Sequence, residues 1–207
     1  MSLHLPTRQR PALPAPEAVG DAVPQPLLPS LSSERLRLRW LDHDDVDALY
    51  EVFSDGPALR YWSHGPFSSR DDASIYLEAI HRGFDRGDLL QWGVALAGSD
   101  QVIGTCTLWR VDPVQARAEF GFIIGRPHWG KRYGREAATA VLTHAFDTLG
   151  MRRLEADVDP RNLHALETLE SLGFKREGYL RQRWLVNGET QDSILLGLLQ
   201  HEHLRHV

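Results

Sequence analysis

The segment Trp129-Gly130-Lys131-Arg132-Tyr133-Gly134-Arg135 lies between a β-rich run and a helical one, and its residue types suit the holding of an anion. Glycines let the backbone come close to a ligand, and the unpaired N–H groups at a helix start, reinforced by the helix dipole, favour negative charge. A pyrophosphate fits such a place; so does a plain strand-to-helix turn that needs glycine for shape alone. The segment is not a Walker A loop, since Gly134 is followed by Arg135 rather than by Lys-Ser or Lys-Thr, and it lacks the Gly-x-Gly-x-x-Gly spacing of dinucleotide folds.

A second group of residues could move protons. In Ala118-Glu119-Phe120-Gly121-Phe122, strand alternation sets Glu119 on the face opposite the apolar residues, beside Gly121, which leaves room around the carboxylate. Glu119 is the candidate general base; the alternative is a surface glutamate paired across the strands to an arginine such as Arg110. Tyr179 is a candidate proton donor to a leaving group, or an ordinary half-buried tyrosine. Tyr61 and Trp62, in Tyr61-Trp62-Ser63-His64, bring aromatic bulk to an acceptor pocket or to the core. Cys106, the single cysteine, lies in an apolar β-rich run that suits packing better than nucleophilic attack. His64, His81 and His128 share no ligand spacing, and the C-terminal His201, His203 and His206 read as a polar end, so no metal is assigned.

These side chains need elements to carry them. Residues 1–30 hold seven prolines (Pro6, Pro11, Pro14, Pro16, Pro24, Pro26, Pro29) without periodicity, which predicts a disordered tail and a domain over 31–207. Arg35 to Leu41 alternates as a strand, after which Asp42 caps a helix running to about Phe53. A second helix starts at Ser68 or Ser69 and ends between Gly83 and Gly87. Strands follow at about 90–97, 101–111 and 117–124. From Tyr133 to Leu149 apolar residues recur every four positions, the mark of an amphipathic helix closed by Gly150. A short strand at 154–158, a helix from Asn162 to Leu172 ended by Gly173, and two strands flanking Asn187-Gly188 complete the order. The class is α/β: a mixed sheet with helices on both faces.

Composition narrows the partners. A formal charge of -5 over 207 residues gives no basic field for nucleic acid, and no run approaches the ~18 apolar residues of a membrane helix. With no basic-then-apolar N-terminal signal and one cysteine, the expectation is a cytoplasmic protein with a small-molecule or peptide partner, as monomer or homodimer.

One strand beyond the glycine segment comes Asp159-Pro160-Arg161-Asn162-Leu163-His164-Ala165, running on to Leu172-Gly173-Phe174. It resembles the Asn-headed helix of the GNAT superfamily of N-acetyltransferases, and the Trp129 to Ala137 stretch resembles that family's pyrophosphate loop. The likeness is to the RimJ/RimL-type branch, which acetylates protein N-terminal α-amines; that branch also shows a strand like Ala118 to Phe122 and an end like Asn187-Gly188-Glu189 with Asp192-Ser193. The resemblance covers about 32–202. It implies a mostly antiparallel GNAT sheet and acetyl-CoA as co-substrate. It also implies a pyrophosphate held from Trp129 and Gly130 through the N–H groups of Lys131, Arg132, Tyr133, Gly134 and Arg135. Asn162 would bind the cofactor, and Phe122, Ile123 and Ile124 would pair with the pantetheine arm as with an added strand. The amine acceptor, a protein N-terminus or a small amine such as a polyamine, amino acid or aminoglycoside, would attack the thioester directly in a ternary complex; the alternative is an acyl-CoA-binding module without turnover. Two positions depart from the family pattern: Arg132 stands where glycine is usual, and Ala165 where serine is usual.

Overall fold

The computed structural model describes residues 28–62, 65–186 and 188–203. Eight strands form one sheet in the order β1-β2-β3-β4-β5-β6-β8-β7. They are β1 Leu31–Ser32, β2 Leu36–Arg39, β3 Leu89–Leu96, β4 Val102–Asp112, β5 Arg117–Ile124, β6 Arg153–Val158, β7 Lys175–Val186 and β8 Glu189–Leu199. Neighbours are antiparallel except β5 and β6, so the sheet is mixed and mostly antiparallel.

The parallel pair positions the site. β5 and β6 are in register only from Arg117 to Glu119 against Arg153 to Glu155. Beyond Glu119, β5 stays with β4 as far as Ile124 opposite Gly104, while β6 stays with β8 as far as Val158 opposite Ile194. The two halves of the sheet splay apart there, and among the described residues no strand lies beside one side of β5 from Phe120 onward.

Helices cover both faces. α1 (Val46–Phe53) and α2 (Arg70–Asp85) bury Leu49, Phe53, Leu77 and Ile80 against Ala95, Val102 and Ile123. On the opposite face α3 (Tyr133–Thr143) and α4 (Leu163–Ser171) bury Ala137, Val141, Leu166 and Leu169 against Trp92, Phe120 and Leu196. Alternation divides a single strand between the two cores: Phe120 and Ile124 face one, Ile123 the other. Ser69 closes a capping box with Asp72 at the start of α2, as expected; Asp42 closes one with Asp45 at a 3-10 turn over His43–Asp45, and α1 follows with Asp45 at its N-cap and no side-chain cap bond.

Three local features differ from the sequence reading. The α3 helix widens into a π-turn at His144–Thr148, where the Leu149 N–H reaches back to the His144 carbonyl (3.0 Å), before Gly150 turns the chain with φ +66°. Residues 28–30, assigned to the tail, pack on the domain: Leu28 is buried, and the Pro29 carbonyl accepts from the Trp92 indole at 2.8 Å. A buried indole N–H needs such an acceptor, which holds this stretch down. A four-residue helix, α5 (Gln200–His203), follows β8. The expected tail over 1–27, Ser63 and His64, Asn187 of the hairpin and His206 lie outside the described residues.

Candidate active site

The glycine segment begins where β5 ends. A 3-10 turn over Arg126–His128 leads to Trp129, whose indole N–H donates to the Ile124 carbonyl at 2.6 Å, tying the loop to the last residue of the strand. Arg126 is anchored on Asp55 after α1 at 2.7 Å. Gly130 takes φ +74° with open space around it, so conformation is what calls for glycine there. Arg132 is also left-handed, at φ +63°, and precedes the first residue of α3. The first-turn N–H groups of α3 have no intrahelical acceptor, and the exposed side chains of Lys131, Arg132 and Arg135 surround them. Gly134 has a different purpose from Gly130: a Cβ there would stand 2.8 Å from the Phe122 ring. It lets the start of α3 close onto β5, bringing N–H groups, cations and strand edge to one place.

Asn162 caps α4, its Oδ1 accepting from the Ala165 N–H at 3.2 Å. That oxygen is therefore engaged within the helix, and the Asn162 amide NH2 is the group left to offer a ligand. Ala165 contributes only its backbone to the cap.

On the other side of β5 lies a cleft of about 480 Å³. Its floor is two cross-strand rows, Gln91, Thr107 and Gly121, then Leu89, Trp109 and Glu119, each in register through β3, β4 and β5. Gly121 leaves open space beside Glu119, as alternation predicts. Tyr61 and Trp62 line one wall with Tyr76 of α2, and Trp184, Gln191 and Asp192 line the other with Asp157 and Asp159. The Tyr76 hydroxyl, pushed up to about 12 by burial, accepts from Gln91.

Glu119 both lines this cleft and pairs with Arg110, whose Nη1 donates to Oε1 at 2.6 Å. The two readings of that residue therefore coexist. Four carboxylates reach the cleft, Glu119, Asp157, Asp159 and Asp192, and arginines pair with three of them: Arg110 with Glu119, Arg161 with Asp159 and, at 3.9 Å, Arg183 with Asp157. Asp159 is buried, which opposes ionisation, but the Arg161 guanidinium and backbone N–H outweigh this and hold its carboxyl below the ordinary range. Asp192 is held low by the Tyr179 hydroxyl (2.5 Å) and the Gln182 N–H (2.7 Å). Asp157 accepts from the Trp184 indole at 3.2 Å.

The candidates are thus brought together in part. Phe122, Ile123, Ile124 and the 129–135 loop converge at the open part of β5, and Glu119, Tyr61 and Trp62 share the cleft. Tyr179 does not line it; 55% exposed, it borders an open depression with Leu180, Arg181 and Gln182 and touches the cleft only through Asp192. Cys106 is buried in β4 and its thiol pushed far up by desolvation, which suits packing and not attack. No cluster of metal-ligating side chains occurs among the described residues. Sequence reasoning missed Asp157, Asp159, Asp192, Trp109 and Trp184. Asp157-Val158-Asp159, with acids two apart at the end of a strand, carried a signal for the first two.

A splayed mixed sheet with a glycine-shaped helix start at the split is the arrangement that the resemblance to N-acetyltransferases implies. The chain belongs to the family of the acetyltransferase (GNAT) domain, whose profile matches residues 35–175. It is 33% identical to the uncharacterized N-acetyltransferase p20 of Bacillus licheniformis over 84% of this chain and 98% of that one. Against spermidine N(1)-acetyltransferase of Escherichia coli K12 it is 26% identical, over 84% of this chain and 90% of the other. The crystal structure of spermidine N-acetyltransferase from Vibrio cholerae in complex with CoA and spermine superposes with a TM-score of 0.74 at 26% identity, over 83% of this chain and 99% of that one. The protein is an N-acetyltransferase that uses acetyl-CoA.

Proposed function

We infer that this enzyme acetylates a primary amine of a small cationic acceptor, of the polyamine class, bound in the cleft beside β5. The observation that carries the reading is the cleft lining: four carboxylates among indole and phenol rings, three of them already holding an arginine, Arg110, Arg161 or Arg183, as they would hold an ammonium. Ammonium groups are recognised by that combination of carboxylates and aromatic faces. Relatives described as spermidine acetyltransferases support it.

Acetyl-CoA supplies the activated acyl group as a thioester. The residues present fit it: the side of β5 left without a strand at Phe122 to Ile124, where among the described residues only the Ile124 carbonyl is taken, by the Trp129 indole, matches an amide-bearing arm, and the start of α3 with Lys131, Arg132 and Arg135 matches a pyrophosphate. Asn162 offers its amide from the facing helix. Glu119 accepts the proton that the ammonium must lose before its nitrogen can form the C–N bond, directly or through a water. A strand N–H at the split stabilises the oxyanion while the C–S bond breaks; the nitrogen gives up its second proton once the C–N bond has formed, and that proton, carried by water, protonates the departing thiolate. Tyr179, turned away from the cleft and bonded to Asp192, has no part in this reading.

The likeness of Asn187-Gly188-Glu189 and Asp192-Ser193 to the RimJ/RimL-type branch supports a second acceptor, a protein N-terminal α-amine. CoA release measured against a panel of polyamines, monoamines and N-terminal peptides separates the two. Turnover of polyamines well above that of any peptide is expected; turnover confined to peptides overturns the polyamine reading.

A further inference from the structure

Arg110 interrupts β4. The pairing of β4 with β5 loses register between Trp109 and Asp112, and within that irregularity Arg110 adopts φ +49°, a left-handed conformation unfavourable for a residue with a Cβ. Its side chain reaches two residues that line the cleft. The guanidinium carbon lies 4.3 Å from the centre of the Trp109 ring, and Nη1 bonds Glu119 at 2.6 Å. Trp109 and Glu119 both line the acceptor cleft. Arg110 is itself 54% exposed, against 21% for Glu119. An exposed cation with a flexible stem thus sits on one aromatic face and one carboxylate of the cleft, the pair of contacts an incoming ammonium would make.

We propose that Arg110 is a cationic latch: a stand-in that occupies the acceptor's place at Glu119 in the free enzyme and must swing aside for the amine to enter. This rests on the assignment of Glu119 to the acceptor end of the cleft. The latch sets an affinity threshold. Every amine must displace the same guanidinium, which weakens all acceptors by one common factor, and an acceptor with a second ammonium makes up the loss through contacts further along, where Asp157 and Asp192 line the cleft. A monoamine has only the contested site. The irregular strand aids release, because the left-handed residue carries its side chain outside the regular ladder and leaves it solvated on both sides of the exchange.

Arg110→Gly is the direct test, since glycine suits φ +49° and the variant should fold at least as well as the wild type. The KM for a monoamine and that for a diamine should fall by the same factor, about 1.5- to five-fold, the range of one exposed ion pair, while kcat and the KM for acetyl-CoA stay unchanged. Arg110→Lys should keep the wild-type amine KM values. A raised amine KM or a lowered kcat in Arg110→Gly would make Arg110 a support for Glu119 and overturn the latch, as would unchanged amine constants. Glu119→Gln measured in parallel separates the two levels: if it turns over normally, the assignment of Glu119 fails and the latch with it. If it is inactive while Arg110→Gly is unchanged, only the latch fails.

Discussion

Arg132 and Glu119 are opposite cases of what one side chain does for the site. Arg132 occupies a left-handed turn position at φ +63°. That conformation costs a residue with a Cβ roughly 1–2 kcal/mol, against about 0.5–1 kcal/mol for the entropy glycine would lose. Arg132→Gly is therefore expected to raise stability slightly, by ~0.5–1 kcal/mol in denaturant titration, while weakening CoA several-fold in calorimetry, because a cation is lost beside the pyrophosphate. Glu119→Gln should keep CoA affinity and lose at least about 100-fold in turnover at neutral pH. Part of that loss should return as the pH approaches the amine's own pKa, near 10 for a primary alkylamine; a wild-type pH–rate profile would remove Glu119 from the chemistry. Glu119 was legible because strand alternation alone sets it beside Gly121. Asp192 was not, because its place in the cleft depends on β8 lying between β6 and β7, a pairing that local pattern does not encode.

The helix α3 is held at its start from two directions. Beneath it, Gly134 admits the Phe122 ring so closely that a methyl group would stand 2.8 Å from it. Gly134→Ala is expected to cost about 1–3 kcal/mol by overpacking and to weaken CoA by lifting the helix from β5; unchanged stability would show that the ring simply moves aside. Beside it, Glu136 accepts from the Ser33 hydroxyl at 2.7 Å, the Arg35 N–H at 2.9 Å and the Arg35 guanidinium at 2.5 Å. Burial opposes ionisation of Glu136, but these partners outweigh it and hold the carboxyl below its ordinary 4.5. A carboxyl lowered on folding contributes stability that is present above that ordinary value and lost as pH falls through the folded one. Between pH 5 and 3, Glu136→Gln should therefore lose less stability than the wild type, having lost about 1–2 kcal/mol already at neutral pH. The elements themselves were legible where punctuation was strong: Asp42, Ser69, Asn162 and Gly173 mark helix ends through chemistry local to each. The π-turn at His144–Thr148 was not, because Ala145 and Phe146 keep the same apolar stripe whether the helix continues or widens.

At the scale of the molecule, two deletions should differ although they differ by three residues. Removing 2–27 should leave CoA binding and melting temperature unchanged. Removing 2–30 takes away buried Leu28, worth about 1.5–3 kcal/mol, and the acceptor of the Trp92 indole, so the melting temperature should drop clearly. CoA at about 100 times its Kd should stabilise the whole domain by about 2.7 kcal/mol, a rise of several degrees that NAD would not produce. The split between β5 and β6 has a further consequence. In most proteins an exposed strand edge lies at the rim of a sheet, where charge, proline or a bulge can blunt it. Here the edge is internal, beside apolar Phe122, Ile123 and Ile124, with the Ile124 carbonyl already bonded to the Trp129 indole; in the proposed reading the rest of it must stay open for the cofactor. An empty enzyme would then offer a template to other chains that a loaded enzyme conceals. Light scattering during mild heating should show self-association of the empty protein and its suppression by CoA. The cellular supply of CoA would then govern how long the enzyme persists as well as how fast it works.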